Sequence, residues 1–198
     1  IELCRTIKTN VETSHIPVIL LTARTDSETK YKGIETGADD YISKPFDIEY
    51  LALRIKNIFK TREHLKNLFQ KNMALEPSTV TVSSADEIFL KKLMTVIEEG
   101  IPESEFSVDS MEQAMGMSHT NFYRKVKSLT GQSGKELLQN VRLKRAVQLL
   151  SQNNLRISEI AYMTGFSNPK YFSKCFREKY GVRPSEYNAN TPGESQSM

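Results

Sequence analysis

The sequence predicts an α/β segment with parallel strands, followed by an all-α region that contains two helix-turn-helix units. Three observations support this fold class. Strand-like and helix-like patterns alternate over the first part of the chain, which is typical of a parallel sheet. Helical periodicity then continues from residue 84 to Tyr187. Within that second region, two segments repeat the pattern of a helix, a glycine turn and a second helix.

Two apolar segments predict the strands. Residues 17–23, PVILLTA, form a continuous run rich in branched side chains, which suits a strand buried on both faces. Residues 39–46, DDYISKPF, predict a second short strand. Residues 2–9 have the spacing of an amphipathic helix. The chain begins at Ile1, inside this predicted helix and without an initiator Met, so we expect it to be part of a longer protein.

Helices are predicted around these strands. Residues 27–36 predict a helix that ends at Gly37, a typical C-terminal cap. A second helix begins near Ile48 and is expected to pack four apolar residues on the sheet: Leu51, Ile55, Ile58 and Phe59. Its pattern continues through Leu65, Leu68 and Phe69 near a 3.5-residue spacing. Residues 62–72 could therefore pair with a second chain or form a linker, and the sequence leaves both open.

The polar segment 73–84 is the best linker candidate, and Ser84 with Glu87 has capping-box spacing for the helix that follows. The predicted domain limits are 1–61 for the α/β part, 62–84 for a helical extension and linker, 85–187 for the all-α domain and 188–198 for a disordered tail.

Charge is distributed unevenly along the chain. Residues 1–117 carry 14 basic and 19 acidic residues, whereas residues 118–183 carry 13 basic and 3 acidic ones, a net charge of +10. Such a block is a plausible surface for a polyanion, although an ordinary solvated surface has the same composition.

The repeat lies in this basic block. Residues 111–131 and 160–181 share a short apolar helix, a glycine, a serine expected to cap the next helix and an apolar pair four residues apart in that helix. These are Gly116, Ser118 and Phe122 with Val126 in the first segment, and Gly165, Ser167 and Phe172 with Phe176 in the second. The offset grows from 49 residues at the glycines to 50 in the second helices, so the second turn is one residue longer. The predicted DNA-binding residues are polar or basic and face outward: Thr120, Asn121, Tyr123, Arg124 and Lys127, then Asn168, Lys170, Ser173, Lys174 and Arg177.

A helix of about 19 residues over 133–152 joins the repeats, with capping-box spacing at Ser133 and Glu136 and a core-facing stripe of Leu143, Ala146, Val147 and Leu150. At ~1.5 Å per residue it would be about 28 Å long, close to the ~34 Å between successive major grooves. One chain could therefore place two recognition helices in adjacent grooves.

Residues 107–187 resemble the AraC/XylS family of transcription regulators. The most specific part of the pattern is Arg142-Leu143, Ala146, Leu149-Leu150, Ile157, Ile160-Ala161, Gly165-Phe166, Phe172, Phe176, Gly181, Pro184 and Tyr187. The resemblance implies seven helices, with the second helix of each unit in the major groove. By position it implies base-facing roles for Thr120, Tyr123 and Arg124, and for Asn168, Lys170, Ser173 and Lys174.

The first 60 residues resemble the C-terminal half of a response-regulator receiver domain, a doubly wound α/β fold, through PVILLTA and GADDYISKPF. By position the resemblance implies that Thr22 is the switch hydroxyl, Tyr41 the switch aromatic and Lys44 the partner of a phosphoaspartate, with a cis bond to Pro45. In this family the acceptor aspartate and the acidic pair that binds Mg²⁺ lie upstream. We therefore expect no phosphoacceptor and no cofactor in this chain, and Mg²⁺ only in the complete receiver.

The predicted function is that of a sequence-specific DNA-binding transcription regulator at the output end of a two-component phosphorelay. The resemblance implies double-stranded DNA and a histidine kinase, in cis or in trans, as partners; RNA polymerase and a second copy of the chain are further candidates. A stand-alone regulator and a hybrid sensor kinase both remain open. The expected location is cytoplasmic, with a membrane-anchored parent if it is a hybrid sensor.

Two other classes of function are weaker. An enzyme is not expected, because His15, His64 and His119 have no catalytic partner at a recognisable spacing and no phosphate-binding glycine loop is present. The alternative is a protein-interaction module whose basic helices bind an acidic partner. Cys4 and Cys175 have no metal-like spacing, which favours a reducing compartment. No apolar run approaches the ~18–20 residues of a membrane span, and no signal peptide is recognisable.

Overall fold

A computed structural model describes residues 1–23, 35–71, 84–152 and 155–187. The chain packs as two compact units. The first comprises residues 1–93 with 115–134, and the second comprises residues 94–114 with the chain from residue 135 onward. The domain limits predicted at residues 61, 84 and 187 remain a sequence-based assignment. Among the described residues, no helix is both long and apolar enough to cross a bilayer.

The α/β part of the first unit contains the two predicted strands in parallel pairing. Helix α1 spans Glu2–Thr9, strand β1 spans Ile19–Thr22 and strand β2 spans Asp40–Ser43. Ile19 lies opposite Asp40 and Thr22 opposite Ser43. Both strands are shorter than predicted but fall inside the predicted segments. The helix predicted over 27–36 lies almost wholly outside the described residues; Gly37 has the positive φ of +81° expected after a helix end.

Helix α2, Ile48–Lys71, is continuous through the region predicted as a helical extension. The prediction that its first half packs fully on the sheet is wrong. Ile55 is 40% exposed and Phe59 is 60% exposed. The two strands of the described residues are too narrow to cover a full helix face. In contrast, Arg62 and Phe69 in the second half are buried.

A buried ion network ties α2 to the strands and to α1. The Asp39 carboxylate binds Lys8 and Arg62 and accepts a hydrogen bond from the Val18 amide at 2.8 Å. Burial by itself would raise the pKa of Asp39, but the hydrogen bonds from Lys8, Arg62 and Val18 lower it below the usual range. Arg54 of α2 donates to the neighbouring Asp40 carboxylate at 2.7 Å, and this hydrogen bond lowers the pKa of Asp40. The network fixes the start of β2 against the helices.

The helical part follows the predicted order. The helices are α3 (Ser84–Gly100), α4 (Val108–Met115), α5 (His119–Thr130), α6 (Gly134–Leu150), α7 (Ile157–Met163) and α8 (Pro169–Tyr180), followed by a 3₁₀ turn (Pro184–Glu186). These are seven helical segments, the number that the family resemblance implies. Ser84 lies inside α3 rather than before it, so the residue that caps this helix lies outside the described residues.

The second compact unit has an aromatic core. Leu143 and Ala146 of α6 are buried against α7 and α8, and Val147 and Leu150 pack on this core while partly exposed, which confirms the predicted stripe. The Phe176 ring lies 5.4 Å from that of Tyr187 and 4.6 Å from that of Tyr180. Burial raises the pKa of Tyr180 to about 12. The final 3₁₀ turn thereby closes over α8.

Candidate nucleic-acid interface

The first helix-turn-helix unit is built as the sequence predicts. Helix α4 ends at Met115, and Gly116 adopts a left-handed φ of +66°, which turns the chain. Ser118 then caps α5, its hydroxyl accepting a hydrogen bond from the Asn121 amide at 3.5 Å. Gly131, with φ of +72°, ends the helix, and its amide donates to the Lys127 carbonyl at 3.0 Å.

The second helix-turn-helix unit has an asparagine, and not the predicted serine, as the cap of its second helix. Helix α8 begins at Pro169, and the Asn168 side chain accepts hydrogen bonds from the Lys170 amide at 2.8 Å and the Tyr171 amide at 3.2 Å. The predicted cap, Ser167, is therefore wrong, because the extra residue in this turn moves the cap forward by one position. Asn168, predicted to face bases, uses its side-chain oxygen in the cap.

Gly165 makes the second turn compact. Its φ is +76°, and a Cβ at this position would overlap both the Ile101 carbonyl oxygen and the Arg142 guanidinium. Arg142 of α6 donates from Nη2 to the carbonyls of Glu103 at 2.7 Å and Phe106 at 3.1 Å. Burial lowers the pKa of Arg142. Arg142 therefore braces the 101–106 loop beside the turn, a role that the sequence pattern did not reveal.

The residues predicted on α5 lie mainly on its solvent face. Thr120, Arg124 and Lys127 are exposed, Tyr123 is 48% exposed and Asn121 is half-buried. Phe122 and Val126 are buried on the opposite side. The helix therefore presents a polar, cationic face suited to phosphates and base edges.

The residues predicted on α8 form a comparable face. Lys170, Lys174 and Arg177 are exposed, whereas Ser173 is half-buried and donates to the Pro169 carbonyl at 2.9 Å. Lys174 lies 3.9 Å from Glu178, a loose pair at the surface. A shallow groove beside them is lined by Ser173, Lys174, Arg177, Glu178 and Arg183. Arg183 was missed by the sequence analysis, although its place in the basic block was a signal.

Lys125 shows that not every cation of the basic block is available to a ligand. Its side chain is fully buried on the rear of α5, where Nζ donates to Asp86 Oδ1 and to Ser14 Oγ, each at 2.7 Å. Nζ also lies 4.9 Å from the Phe89 ring centroid. Burial lowers the pKa of Lys125, and Asp86 partly opposes this effect. The side chain has a structural role, and nothing in its local sequence distinguishes it from Arg124 or Lys127.

Two of the predicted receiver residues, Thr22 and Lys44, lie at the carboxyl edge of the two strands, and the third, Tyr41, lies within β2. Thr22 ends β1, and its carbonyl accepts a hydrogen bond from the Lys44 amide at 2.6 Å. Lys44 is exposed and its bond to Pro45 is cis, as predicted. Tyr41 is half-buried in β2, in register with Leu20. Their switch roles remain predictions.

Two known families match this chain, in separate segments. The family described as Response regulator receiver domain matches residues 1–56, and the family described as Helix-turn-helix domain matches residues 111–190. The chain thus joins the C-terminal part of a receiver to a helix-turn-helix DNA-binding domain of the AraC type, which confirms the resemblance drawn from its motifs.

Several known proteins are similar to this chain in sequence. Histidine kinase P4 of Formosa agariphila is 46% identical over 186 residues, which cover 94% of this chain and 14% of that protein. Response regulator ArlR of Staphylococcus saprophyticus is 37% identical over 46% of this chain and 44% of its own length. The HTH-type transcriptional regulator MtrA of Neisseria gonorrhoeae is 28% identical over 62% of this chain and 40% of its own length. The chain therefore spans less than half of each of these relatives.

Among solved structures, the C-terminal domain of AraT, a response regulator from Geobacillus stearothermophilus, matches with a TM-score of 0.47 at 25% identity. The match covers 54% of this chain and 93% of that chain. The assignment does not depend on this likeness.

Proposed function

We propose that this chain is the DNA-binding output end of a two-component phosphorelay and regulates transcription through α5 and α8. The observation that carries the proposal is the repeated unit itself. Each repeat has a glycine turn with positive φ, a side-chain cap and a second helix whose solvent face is cationic. A protein-interaction module would need such cations too, but not two capped recognition helices in one basic block.

We propose separate roles in DNA binding for the side chains on α5 and α8, on the basis of their chemistry. Arg124 and Lys174, each exposed near the middle of its helix, are proposed to contact bases, because cationic side chains pair with guanine edges in the major groove. Lys127 and Arg177 are proposed to bind mainly phosphates, whereas Lys170 is proposed to face the bases, as the family resemblance implies. The other contacts with DNA are proposed to come from uncharged polar side chains, namely Thr120, Asn121 and Tyr123 of the first helix-turn-helix unit and Asn168 and Ser173 of the second.

The parent protein is proposed to be a hybrid sensor kinase, since the similarity to Histidine kinase P4 covers nearly the whole chain. Its partners would then be duplex DNA and a histidine kinase in the same chain, on the cytoplasmic side of a membrane. Catalysis is not part of the proposed role of these 198 residues. Contact with RNA polymerase and assembly as a homodimer are additional proposals that sedimentation on operator DNA would test.

The Mg²⁺ ion of a complete receiver does not fit Asp39 and Asp40, the acidic pair at the start of β2. Asp39 binds Lys8 and Arg62, and Asp40 binds Arg54, so both carboxylates already neutralise cationic side chains. Thr22 and Lys44 are proposed to respond to a phosphoryl group on an aspartate of the complete receiver. The exposed Lys44 side chain at the strand edge suits that role.

The experiment is selection of sequences from random duplex DNA by the 198-residue chain, followed by footprinting and a salt titration. We expect one preferred sequence with two protected major-groove segments about 10–10.5 base pairs apart. The logarithm of the affinity should fall with log salt by about 0.9 per phosphate contact. Lys92→Ala, which removes an exposed lysine outside the basic block, is the matched control. Binding to all sequences alike would refute sequence-specific regulation.

A further inference from the structure

The first recognition helix, α5, is contacted on its buried side by the receiver part, by which we mean the described residues of segment 1–71: the receiver segment 1–61 and the helical extension that follows it. Helix α2 packs against α5 within the first compact unit. Two polar contacts add to this packing: Ser14, in the loop after α1, contacts Lys125 and Asp86, and Gln70 of α2 contacts Thr130. We call these two contacts the rear contact. They connect residues that are 60 to 111 positions apart in sequence.

Ser14 completes a buried charge pair that belongs to the helical part. Its hydroxyl donates to Asp86 Oδ1 at 2.7 Å and accepts from Lys125 Nζ at 2.7 Å, and none of the three side chains is more than 1% exposed. A hydroxyl can do both at once, so it satisfies one more ammonium proton of Lys125. A buried ammonium group is costly unless its protons are bonded, so Ser14 contributes directly to the placement of α5.

Gln70 binds the C-terminal end of the same helix. Its Nε2 donates to the Thr130 carbonyl at 3.2 Å, one of the terminal carbonyls that have no partner within the helix. The following Gly131 has φ of +72°, and a Cβ there would overlap the Gln70 amide nitrogen. Gly131 therefore leaves room for the Gln70 amide, and Gln70 supplies a donor to the carbonyl end of α5.

The rear contact leaves the DNA-facing side open. Thr120, Arg124 and Lys127 are exposed while the receiver part is in place. The contact therefore does not block the proposed recognition surface, and it orders α5 on the side away from the bases.

Taken with the proposed function, on which it rests, this geometry leads to one inference. We propose that the receiver part is a support for the first recognition helix, so that docking through Ser14 and Gln70 increases affinity for the half-site that α5 reads and not for the half-site that α8 reads. A receiver signal that withdraws Ser14 and Gln70 would thus weaken one half of the operator.

Part of the segment 62–72 packs inside one chain. Phe69, one of the residues predicted to pair with a second chain, is only 3% exposed, because this part of α2 packs within its own unit. Leu65 and Leu68 are half-buried, and pairing of this segment with a second chain stays a prediction.

The test uses the 198-residue chain with Ser14→Ala combined with Gln70→Ala, and Asn67→Ala as the control one turn earlier on α2, where the side chain is exposed. Without DNA, hydrogen exchange of the α5 amides should become faster in the double variant and stay unchanged in the control. On the selected operator the double variant should lose about tenfold in affinity, the factor expected for one charge-assisted hydrogen bond. This loss should vanish when the half-site read by α5 is scrambled.

A second pair of variants keeps the test valid if the double variant unfolds. Gln70→Glu places a negative charge at the carbonyl end of α5 and should weaken binding, whereas Gln70→Lys should preserve it. Unchanged exchange in α5, or equal losses on both half-sites, would overturn the proposal. Failure of the wild-type chain to select any sequence would refute the proposed function instead, and the exchange measured without DNA would still decide the rear contact.

Discussion

We predict that the buried ion pair of Lys125 and Asp86 contributes strongly to the free energy of unfolding. Replacing Asp86 by Asn keeps the volume of the side chain but leaves the Lys125 ammonium without a counter-charge, at 0% exposure and with Ser14 as its remaining strong acceptor. Breaking a buried pair by removing one partner costs about 3–5 kcal/mol. Because Asn can still accept one hydrogen bond, we expect a loss of about 3 kcal/mol in the free energy of unfolding.

The loss should depend on pH with a definite sign. The folded-state pKa of Lys125 is lowered by burial, so in the interval between that pKa and the ordinary one the unfolded chain binds more protons than the folded chain. Stability therefore rises with pH across that interval. Removing Asp86 removes a contribution that raises the pKa, which widens the interval. The destabilisation by Asp86→Asn should thus shrink as the pH rises from the folded-state pKa of Lys125 in the variant to the higher folded-state pKa of Lys125 in the wild type.

The assay is urea unfolding of the wild-type and variant chains, followed by circular dichroism at several pH values. Glu87→Gln is the matched control, since Glu87 is the next acid on α3 and pairs with the exposed Lys91 at 2.6 Å. A surface pair four residues apart contributes about 0.3–0.5 kcal/mol, so the control should change little. A loss below about 1 kcal/mol for Asp86→Asn, or a loss independent of pH, would mean that water reaches Lys125 and would refute the reasoning.

Three further predictions concern the recognition helices and the receiver part. Arg124→Ala and Lys174→Ala should each relax preference at different base pairs, with about 1–3 kcal/mol of discrimination lost, measured by affinities for single-base operator variants; uniform losses would make them phosphate contacts. Asn168→Ala should lower stability by about 1 kcal/mol in urea unfolding while Ser167→Ala should have little effect, and the reverse order would restore the original cap assignment. The pKa of His15, lowered from 6.5 to about 4 by burial and by Lys125, should appear in an NMR titration; because the unfolded chain takes up this proton first, stability should fall as the pH drops from 6.5 to 4, and a midpoint near 6.5 would contradict the burial.

Local chemistry accounts for what could be predicted before the structure. The strands over 17–23 and 39–46, the glycine turn at Gly116 and the Ser118 cap each depend on a few neighbouring residues, and each is confirmed. The cap at Ser167 failed because a single extra residue in the turn shifts the helix start, and serine and asparagine are both good caps.

The class of protein could be predicted from the amino-acid pattern, because apolar periodicity, glycine turns and the basic block each depend on a short stretch of chain. The pattern could not determine which cations face solvent. Arg124, Lys125 and Lys127 are alike in sequence, yet only Lys125 is buried, and the reason is a carboxylate 39 residues away and a hydroxyl 111 residues away. Burial of a charge depends on partners that packing brings together from distant parts of the chain, so it could be recognised only in the folded molecule.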